Sequence, residues 1–414
     1  AIFDYNKAIK INPNYAYAYN NLGNALLELR QLKNAIQNYE KAIKIEPNFF
    51  EAHYNLGLAF QELNQLSSAI KSWENAIEIK PNLDFLSGLL FFTKSSLCNW
   101  VSFKNDLEKL KKQTLNGEKV LHPDPALSFY ESTSLQKMAA EIWVKENFPI
   151  KNILAPIPKR QLSKRIRLGY YSADFRNHAV SYQSAHLFEL HDKSRFELIA
   201  FSFGPVSNDE MNIRISSTFD KFINVQFKSD KEIAKLSREL KIDIAIDLSG
   251  FTKHNRFGIF LERCAPMQVS YLGYSGTVGN NCIDYLIADK ILIPKENQKD
   301  YSGKIIYLPN SYMVNDSTKK ISDKVFTRNE LSLPNEGFIF CCFNKFYKIT
   351  PNVFDTWMRI LKNVQNSVLW LNEDNLIGAE NLQKEANKRG VDSNRLIFAK
   401  RMQSLAEHLA RHRV

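Results

Sequence analysis

The chain has 414 residues, 44% of them hydrophobic and 24% charged, so it is globular and long enough for two to four domains. The formal net charge of +11 favours anionic ligands, but the basic residues are scattered and no DNA- or RNA-binding motif accompanies them, which argues against nucleic acid as the partner. Because we find neither a signal-peptide pattern nor a long uncharged apolar run, we expect a cytoplasmic protein that does not enter a membrane. The five cysteines lie mostly in apolar runs without metal-ligand spacing, which predicts reduced core thiols.

The first part of the chain contains an internal repeat. Pro13, Pro47 and Pro81 are spaced 34 residues apart and each is followed by Asn, and the same offset relates Gly23 to Gly57. This pattern resembles the tetratricopeptide repeat, in which two antiparallel helices pack in each copy. Stacked copies form a superhelix whose concave face binds peptide segments.

Two asparagines occupy equivalent positions on the first helix of successive repeats, Asn21 and Asn55. Their amides carry both donors and an acceptor, so they could hydrogen-bond an extended peptide backbone. The alternative is that they are only solvated or capping residues on the helix surface. The repeat pattern alone supports both interpretations equally. Ala1 occupies the repeat position of Ala35, so we expect the chain to begin inside a helix and further repeats to precede it.

A helical connector is predicted for residues 85–160, interrupted by proline-rich breaks at residues 122–125 and 155–158. From Arg165 onward, short apolar runs alternate with helical patterns, which predicts doubly wound parallel sheets. The predicted strands form a first set and then a second: 166–171, 196–203, 242–248, 268–272, 285–288 and 304–308, then 338–342, 367–371 and 395–399.

The junction between the predicted buried strand 338–342 and the next helix carries two lysines, Lys345 and Lys348. Thr350 is a good N-cap and Pro351 suits the first helical position, so both lysines lie at the positive end of a helix dipole. Such junctions bind phosphates in open α/β sheets. The alternative is that both are solvated loop charges; the pair makes an anion site slightly the better interpretation.

Loops after three strands of the first set supply further candidates. Residues 273–279 contain three glycines, which allow backbone N–H groups to approach a ligand closely. The loop matches neither a Walker motif nor a complete dinucleotide fingerprint. His178 follows the first strand near Asp174 and Asn177, and a catalytic role and a purely structural one are about equally supported.

Five motifs follow the repeats in order: SADFRNHAVSY, DLSGFTKHNR, APMQVSYLGYSGTVG, IDYLIAD and FNKFYKITP. Together they resemble the O-GlcNAc transferase family, to which the plant SPINDLY-type O-fucosyltransferases are related. The short connection after Leu308 resembles the bacterial form. The resemblance implies an α + α/β architecture, in which a tetratricopeptide superhelix precedes a two-lobed GT-B glycosyltransferase whose second lobe is incomplete. The implied segments are repeats at 1–84, a helical connector at 85–160, an amino-terminal acceptor and sugar lobe at 161–325, and a truncated nucleotide lobe at 326–414.

The activity implied by the resemblance is inverting, metal-independent transfer of N-acetylglucosamine from UDP-N-acetylglucosamine to Ser or Thr of proteins, without a cofactor. The repeats would hold the protein acceptor on their concave face. Two alternatives remain: transfer of fucose from GDP-fucose, or an inactive repeat scaffold with a residual α/β domain. The family continues with a His-Thr-Thr run that binds the nucleotide, so we expect a truncated gene product with little activity of its own.

The resemblance also implies roles for individual residues. Lys348 matches the lysine that contacts the diphosphate, and His178 matches a histidine near sugar and acceptor. Lys345 replaces a family glutamine, Ser275 replaces a proline usual in animal members, and Asp243 occupies the place of a histidine proposed for catalysis there. No metal ligand is implied. The matches to peptide-binding positions are Asn21 and Asn55. The matches to donor-binding positions are Leu272, Gly273, Gly276, Thr277, Asn344, Lys345 and His408.

Overall fold

The computed structural model describes residues 1–149, 154–161 and 163–414, which fall into two compact units. The first unit comprises residues 1–113 together with 321–414, and the second comprises residues 114–320. The predicted connector is therefore shared between them, and its residues 150–153 lie outside the described part of the chain. Within that part, no helix is both long and apolar enough to cross a bilayer.

The repeats form pairs of antiparallel helices in which a glycine of one helix faces a ring of the next. A Cβ at Gly57 would lie 2.2 Å from the Trp73 indole, and one at Gly23 would lie 2.5 Å from the Tyr39 ring. Both rings are fully buried, so the glycines allow the close helix packing that the repeat pattern predicts. The helices up to the second unit are α1 (Ile2–Ile11), α2 (Ala16–Glu28), α3 (Leu32–Ile45), α4 (Phe50–Glu62), α5 (Leu66–Ile79), α6 (Leu86–Ser96) and α7 (Phe103–Leu115).

The second unit begins with α8 (Pro123–Phe129) and α9 (Thr133–Asn147). The predicted break at residues 122–125 is wrong, because this segment starts a helix. His122 is its N-cap, accepting from the Asp124 N–H, and Pro123 takes the first helical position, where the missing N–H costs nothing.

A seven-stranded parallel sheet forms the core of the second unit, in the order β3-β2-β1-β4-β5-β6-β7. The chain winds outward from β1 through β2 to β3, then returns to β4 on the other side of β1. This reversal creates the type of crevice at the carboxyl ends where open α/β sheets bind ligands. The elements are β1 (Ile166–Ser172), α10 (Ala179–Glu189), β2 (Phe196–Ser202), α11 (Glu210–Ser216), β3 (Lys221–Asn224), α12 (Asp230–Glu239), β4 (Ile244–Asp247), α13 (Gly258–Leu261), β5 (Met267–Ser270), β6 (Tyr285–Ala288) and β7 (Lys304–Tyr307).

The first unit ends in a three-stranded parallel sheet, ordered β10-β9-β8. Its core includes the buried side chains of Phe346, Phe354 and Leu371. The elements are β8 (Ile339–Cys342), α14 (Pro351–Asn363), β9 (Val368–Asn372), α15 (Leu376–Lys388), β10 (Leu396–Ala399) and α16 (Leu405–Ala410).

Residues 338–342 were predicted to form a buried strand. The strand is present, but the prediction that it is buried is wrong. Phe338 is 60% exposed and Cys341 is exposed, because β8 pairs with β9 on one side and has no other partner strand among the described residues. The prediction of core thiols fails at Cys341 for the same reason, although all five cysteines are free and Cys98 and Cys264 are buried.

The predicted repeats followed by parallel α/β sheets are confirmed, and all nine predicted strands are present to within two residues at either end. One strand was missed, β3. It has only four residues, none of them buried, and therefore lacks the apolar run by which the others were found.

Candidate functional site

Three loops of the second unit meet at one edge of its sheet. They follow β1, β4 and β5, which are neighbours in the sheet and run in the same direction. Because parallel strands end at the same edge, residues 173–178, 248–253 and 271–279 lie around the carboxyl ends of adjacent strands. The predicted sugar-side loop and His178 therefore share this edge.

The glycine-rich loop is held tightly against β4. A Cβ at Gly273 would lie only 1.8 Å from the Leu248 carbonyl oxygen, so no side chain fits there. The preceding Leu272 adopts a left-handed conformation, with φ of 69°. Gly276 packs beside Tyr274, where a Cβ would lie 2.6 Å from the phenolic oxygen. These contacts give the loop one well-defined path past the end of β4.

Thr277 is buried, and its hydroxyl is used inside the protein. Its Oγ1 accepts the Ser302 N–H at 3.0 Å and also the Gly279 N–H at 3.4 Å. The hydroxyl in turn donates to Ser302 Oγ at 3.4 Å. In this conformation the Thr277 side chain stabilises the loop, so its predicted ligand contact would depend on its backbone N–H.

Asp247 ends β4 and was not identified as a site residue from the sequence, although it opens the DLSGFT motif. Its carboxylate is buried and accepts the N–H groups of Ser249 and Gly250 at 2.9 and 3.1 Å. Burial raises the pKa of Asp247 to about 6, and these two N–H groups lower it only in part. The carboxylate thus orders the loop after β4 while lying directly beneath it.

We expect Asp247→Asn to gain stability relative to the native protein as pH rises. The folded pKa is raised from 3.8 to about 6, so between these values the native fold retains a proton that the unfolded chain has lost, and native stability falls with rising pH. The difference in the free energy of unfolding between the two proteins should change by about 3 kcal/mol between pH 3 and pH 7. Urea unfolding of both proteins across that range gives the two free energies of unfolding and hence their difference at each pH. A pH-independent difference would contradict the raised pKa.

His178 begins α10 as its N-cap. Its Nδ1 lies 3.4 Å from the Val180 amide nitrogen and 3.6 Å from Asp174 Oδ2, and its side chain is 40% exposed. Nδ1 either accepts from Val180 or, when protonated, faces the Asp174 carboxylate; it does not do both at once. The first arrangement places the ring proton on Nε2, and the second places a proton on Nδ1 and leaves Nε2 able to accept one in the neutral ring.

Asp243 takes the place of a histidine that the resemblance associates with catalysis. In this structure its carboxylate is engaged in contacts within the fold. Its carboxylate pairs with Arg160 at 2.7 Å and accepts the Arg167 N–H at 2.8 Å. It therefore fixes the start of the sheet rather than offering a free base.

In the first unit, the two lysines after β8 have different environments. Lys345 Nζ pairs with Asp374 at 2.5 Å, and that carboxylate also accepts the Phe346 N–H at 3.3 Å. Lys348 ends a 3-10 turn formed by residues 346–348 and is exposed. Within the described part of the chain no carboxylate lies within ion-pair distance of Lys348, so its charge remains available. Asp374 was missed, although its place just after predicted strand 367–371 could have revealed it.

The junction continues into α14 as predicted. Thr350 is the N-cap, with Oγ1 accepting the Val353 N–H at 3.5 Å, and Pro351 opens the helix. Lys348 lies two residues before this N-cap. A cation next to a helix N-terminus makes a local positive potential suited to an anionic ligand.

Asn344 and His408 lie in the same unit as Lys348. Asn344 is exposed on the loop after β8, and His408 on α16 packs its ring 5.6 Å from the Phe343 ring. Burial, followed by the charges of Arg411 and His412, lowers the pKa of His408 to about 4, so its ring is neutral at physiological pH. A neutral imidazole can stack with or hydrogen-bond a nucleotide base without adding charge.

Arg411 is a buried cation that sequence analysis missed. It lies 4.1 Å from the Phe343 ring centre and donates to the Lys400 carbonyl at 2.9 Å. Its guanidinium also lies 5.5 Å from the Trp370 ring centre, and these aromatic contacts support the start of the loop after β8.

Of the two predicted repeat asparagines, Asn55 lines a groove and Asn21 does not. Asn55 Nδ2 donates to Asn20 Oδ1 at 3.0 Å, and both belong to a groove of about 450 Å³ that Asn24 also lines. Asn21 is exposed but is not among the residues lining that groove. Asn20 and Asn24 were missed because the repeat comparison matched only Asn21 with Asn55.

The described residues contain no group of three or more His, Cys, Asp or Glu side chains arranged to hold a metal ion. The predicted site residues are distributed over both units, with the sugar-side loop and His178 in the second and the lysines, Asn344 and His408 in the first. The predicted roles of these residues stay predictions.

Comparison with known families gives matches over most of the chain. The model described as glycosyl transferase family 41 matches residues 140–325 and 319–414. Models of tetratricopeptide repeats match residues 4–37, 23–64 and 50–83. The repeat models thus match the amino-terminal part of the sequence, and the glycosyl transferase model matches the part from residue 140 onward.

Curated relatives are longer than this chain. An Arabidopsis thaliana protein named probable UDP-N-acetylglucosamine–peptide N-acetylglucosaminyltransferase SEC is 37% identical over 62% of this chain, which covers 27% of that protein. A rice protein of the same description, named SPINDLY, is 33% identical over 49% of this chain and 22% of its own length. The chain thus spans about a quarter of the length of these relatives.

One solved structure, that of a mutant Thermobaculum terrenum O-GlcNAc transferase, superposes with a TM-score of 0.67. It is 24% identical, and the match covers 97% of this chain and 71% of the other. At this identity the likeness concerns the fold, which is shared along nearly the whole chain.

Proposed function

Because the chain belongs to glycosyl transferase family 41, we propose that it transfers N-acetylglucosamine from UDP-N-acetylglucosamine to serine or threonine hydroxyls of proteins. The names of the curated relatives support this donor and this type of acceptor. Its five free thiols fit a reducing compartment such as the cytoplasm.

The observation that carries the proposal is the contrast between Lys345 and Lys348. Asp374 neutralises Lys345, whereas the exposed Lys348 ammonium has no carboxylate partner in the described structure. An uncompensated cation before the N-terminus of α14 is suited to a diphosphate. We therefore propose that Lys348 binds the diphosphate of the donor.

The proposed reaction is a direct, metal-independent displacement with inversion. The acceptor hydroxyl oxygen bonds to the anomeric carbon as the bond from that carbon to the diphosphate oxygen breaks. The hydroxyl proton leaves to a base, for which His178 is our candidate when its Nδ1–H faces Asp174, because Nε2 then has the free lone pair that accepts the proton. Lys348 stabilises the negative charge that develops on the departing diphosphate, so it acts mainly in the transition state.

The test incubates the protein with an acceptor protein extract and either UDP-N-acetylglucosamine or GDP-fucose, followed by mass spectrometry of serine and threonine peptides. Added N-acetylhexosamine supports the proposal. Added deoxyhexose from GDP-fucose would identify a fucosyltransferase instead. No transfer with either donor, together with no UDP binding, would indicate a repeat scaffold.

We propose that acceptor proteins bind along the repeats, with Asn55 contributing a backbone contact from the groove that also contains Asn20 and Asn24. Asn55→Ala should weaken acceptor-peptide binding about 5- to 10-fold, because one amide that makes two hydrogen bonds is lost. Fluorescence anisotropy of a labelled acceptor peptide measures the affinity.

The matched control for Asn55→Ala is Asn38→Ala, an asparagine on α3 whose side chain donates to the Asn34 carbonyl and which does not line the groove. Its peptide affinity should equal that of the native protein. UDP affinity should be unchanged in both variants. Equal peptide binding by Asn55→Ala and the native protein would remove Asn55 from the acceptor site.

A further inference from the structure

The turn that carries Lys348 is packed against the helix that follows the repeats. Phe92 on α6 packs against Tyr347, with ring centres 4.9 Å apart and ring planes tilted by 52°, and Tyr347 immediately precedes Lys348. The Lys348 ammonium lies 6.0 Å from the centre of the same Tyr347 ring. One aromatic ring therefore separates α6 from the proposed diphosphate cation.

Further contacts fix α6 and the loop after it on this part of the first unit. Asn375 donates to the Ser96 carbonyl at 2.9 Å, and Asn381 donates to the Leu97 carbonyl at 2.8 Å. Both asparagines bond carbonyls at the end of α6, which would otherwise lack partners. The end of α6 is thus held by hydrogen bonds from the N-cap and the first turns of α15, while Phe92 on α6 contacts the turn through the Tyr347 ring.

Phe346, the first residue of the turn, is fully buried in the same contact. Cys98 Sγ lies 3.9 Å from its carbonyl oxygen, and a Cβ at Gly378 on α15 would lie 2.5 Å from its ring. The turn is therefore enclosed by α15 on one side and by the chain after α6 on the other. Its backbone has little freedom to shift without disturbing both neighbours.

We propose that Phe92 is a positioning residue for Lys348, acting through the Tyr347 ring. This ring contact sets the direction in which the 3-10 turn presents the ammonium, so α6, the helix after the repeats, determines the geometry of the diphosphate site. This inference deepens the proposed function and rests on it. Because positioned charges contribute chiefly to the transition state, loss of the ring contact should reduce turnover more than donor affinity.

The principal test measures turnover with UDP-N-acetylglucosamine for Phe92→Ala, Tyr347→Ala and the double variant. We expect kcat to fall about 10-fold in each single variant, with the acceptor KM unchanged. The double variant should be no slower than Tyr347→Ala, because Phe92 acts only through that ring. Tyr347→Phe keeps the ring and should retain native kcat.

The control is Phe91→Ala. Phe91 is the neighbouring residue on α6 and is buried, but its ring packs on Phe103, with centres 5.0 Å apart. It should lower the melting temperature at least as much as Phe92→Ala while leaving kcat unchanged at a temperature where both variants are folded. This separates positioning of Lys348 from general loss of stability in α6.

The outcomes distinguish the two proposals. An active native protein whose kcat is unaltered by Phe92→Ala overturns the positioning role alone, as does an equal loss of kcat in Phe91→Ala. Additive losses in the double variant also contradict it, because they would mean that Phe92 acts independently of Tyr347. A native protein that neither binds UDP nor transfers sugar overturns the proposed function and this inference with it.

Discussion

Replacing Lys348 with alanine should lower kcat by about 100- to 1,000-fold, the range typical when one preorganised group that stabilises transition-state charge is removed. Lys348 is exposed at the start of the α14 junction and has no carboxylate partner in the described part of the chain, so its charge is not already committed to the fold. Donor KM should change less than kcat, because the charge on the diphosphate oxygen grows as the sugar departs. Steady-state kinetics with UDP-N-acetylglucosamine measures both constants.

Lys345→Ala is the matched control for Lys348→Ala, since the two lysines lie three residues apart on the same junction. Asp374 already neutralises Lys345, so its loss should affect kcat by less than about 10-fold. Lys348→Arg keeps the charge but changes its geometry, and should recover part of the activity. Equal effects of the two alanine variants would show that the junction lysines act only as a general positive field.

Gly273→Ala should unfold or displace the glycine-rich loop. The new Cβ would meet the Leu248 carbonyl at 1.8 Å, and the backbone directly after β4 cannot move aside as a side-chain tip can. We expect a loss of about 3 kcal/mol or more in the stability of the second unit, at the upper end of overpacking costs. Thermal unfolding gives the stability, and donor KM reports the displaced loop.

Gly117→Ala separates this clash from the general cost of replacing a glycine. Gly117 lies in the same unit with no atom within 4 Å of its added Cβ, and only its positive φ of 76° opposes alanine. Its cost should be about 1 kcal/mol, with donor KM unchanged. If Gly273→Ala were no more harmful than Gly117→Ala, the tight path of the loop past β4 would not be needed.

Much of the architecture could be predicted because it depends on contacts that leave recognisable patterns within short stretches of sequence. The recurring prolines and the Gly23 and Gly57 positions reflect contacts made inside one repeat, and the structure shows those glycines against Tyr39 and Trp73. Buried parallel strands appear as apolar runs for the same reason. β3 could not be found in this way because its side chains are only partly buried.

Burial at a sheet edge depends on contacts distant in sequence, which a single segment does not reveal. The run from Phe338 to Cys342 is as apolar as a central strand, yet β8 has a partner on one side and exposes Phe338 and Cys341. Composition reports what a segment could bury, whereas its neighbours decide what it does bury.

The candidate site shows the same division. Position after a strand was enough to select Lys345 and Lys348, but only the structure shows that Asp374 neutralises one of them. Asp374 lies 29 residues beyond Lys345 and is brought beside it by the pairing of β8 with β9. Phe92 and Tyr347, whose rings are in contact, are more distant still in sequence, and no motif would have joined those two rings.

The most direct test of the account titrates UDP into the native protein and into Lys348→Ala by calorimetry, with and without EDTA. We expect the native protein to bind UDP equally well in EDTA, because in the proposed site side-chain cations rather than a divalent ion hold the diphosphate. Lys348→Ala should bind at least 10-fold more weakly, equivalent to about 1.4 kcal/mol. Native binding that disappears in EDTA, or equal affinity of the two proteins, would contradict the account.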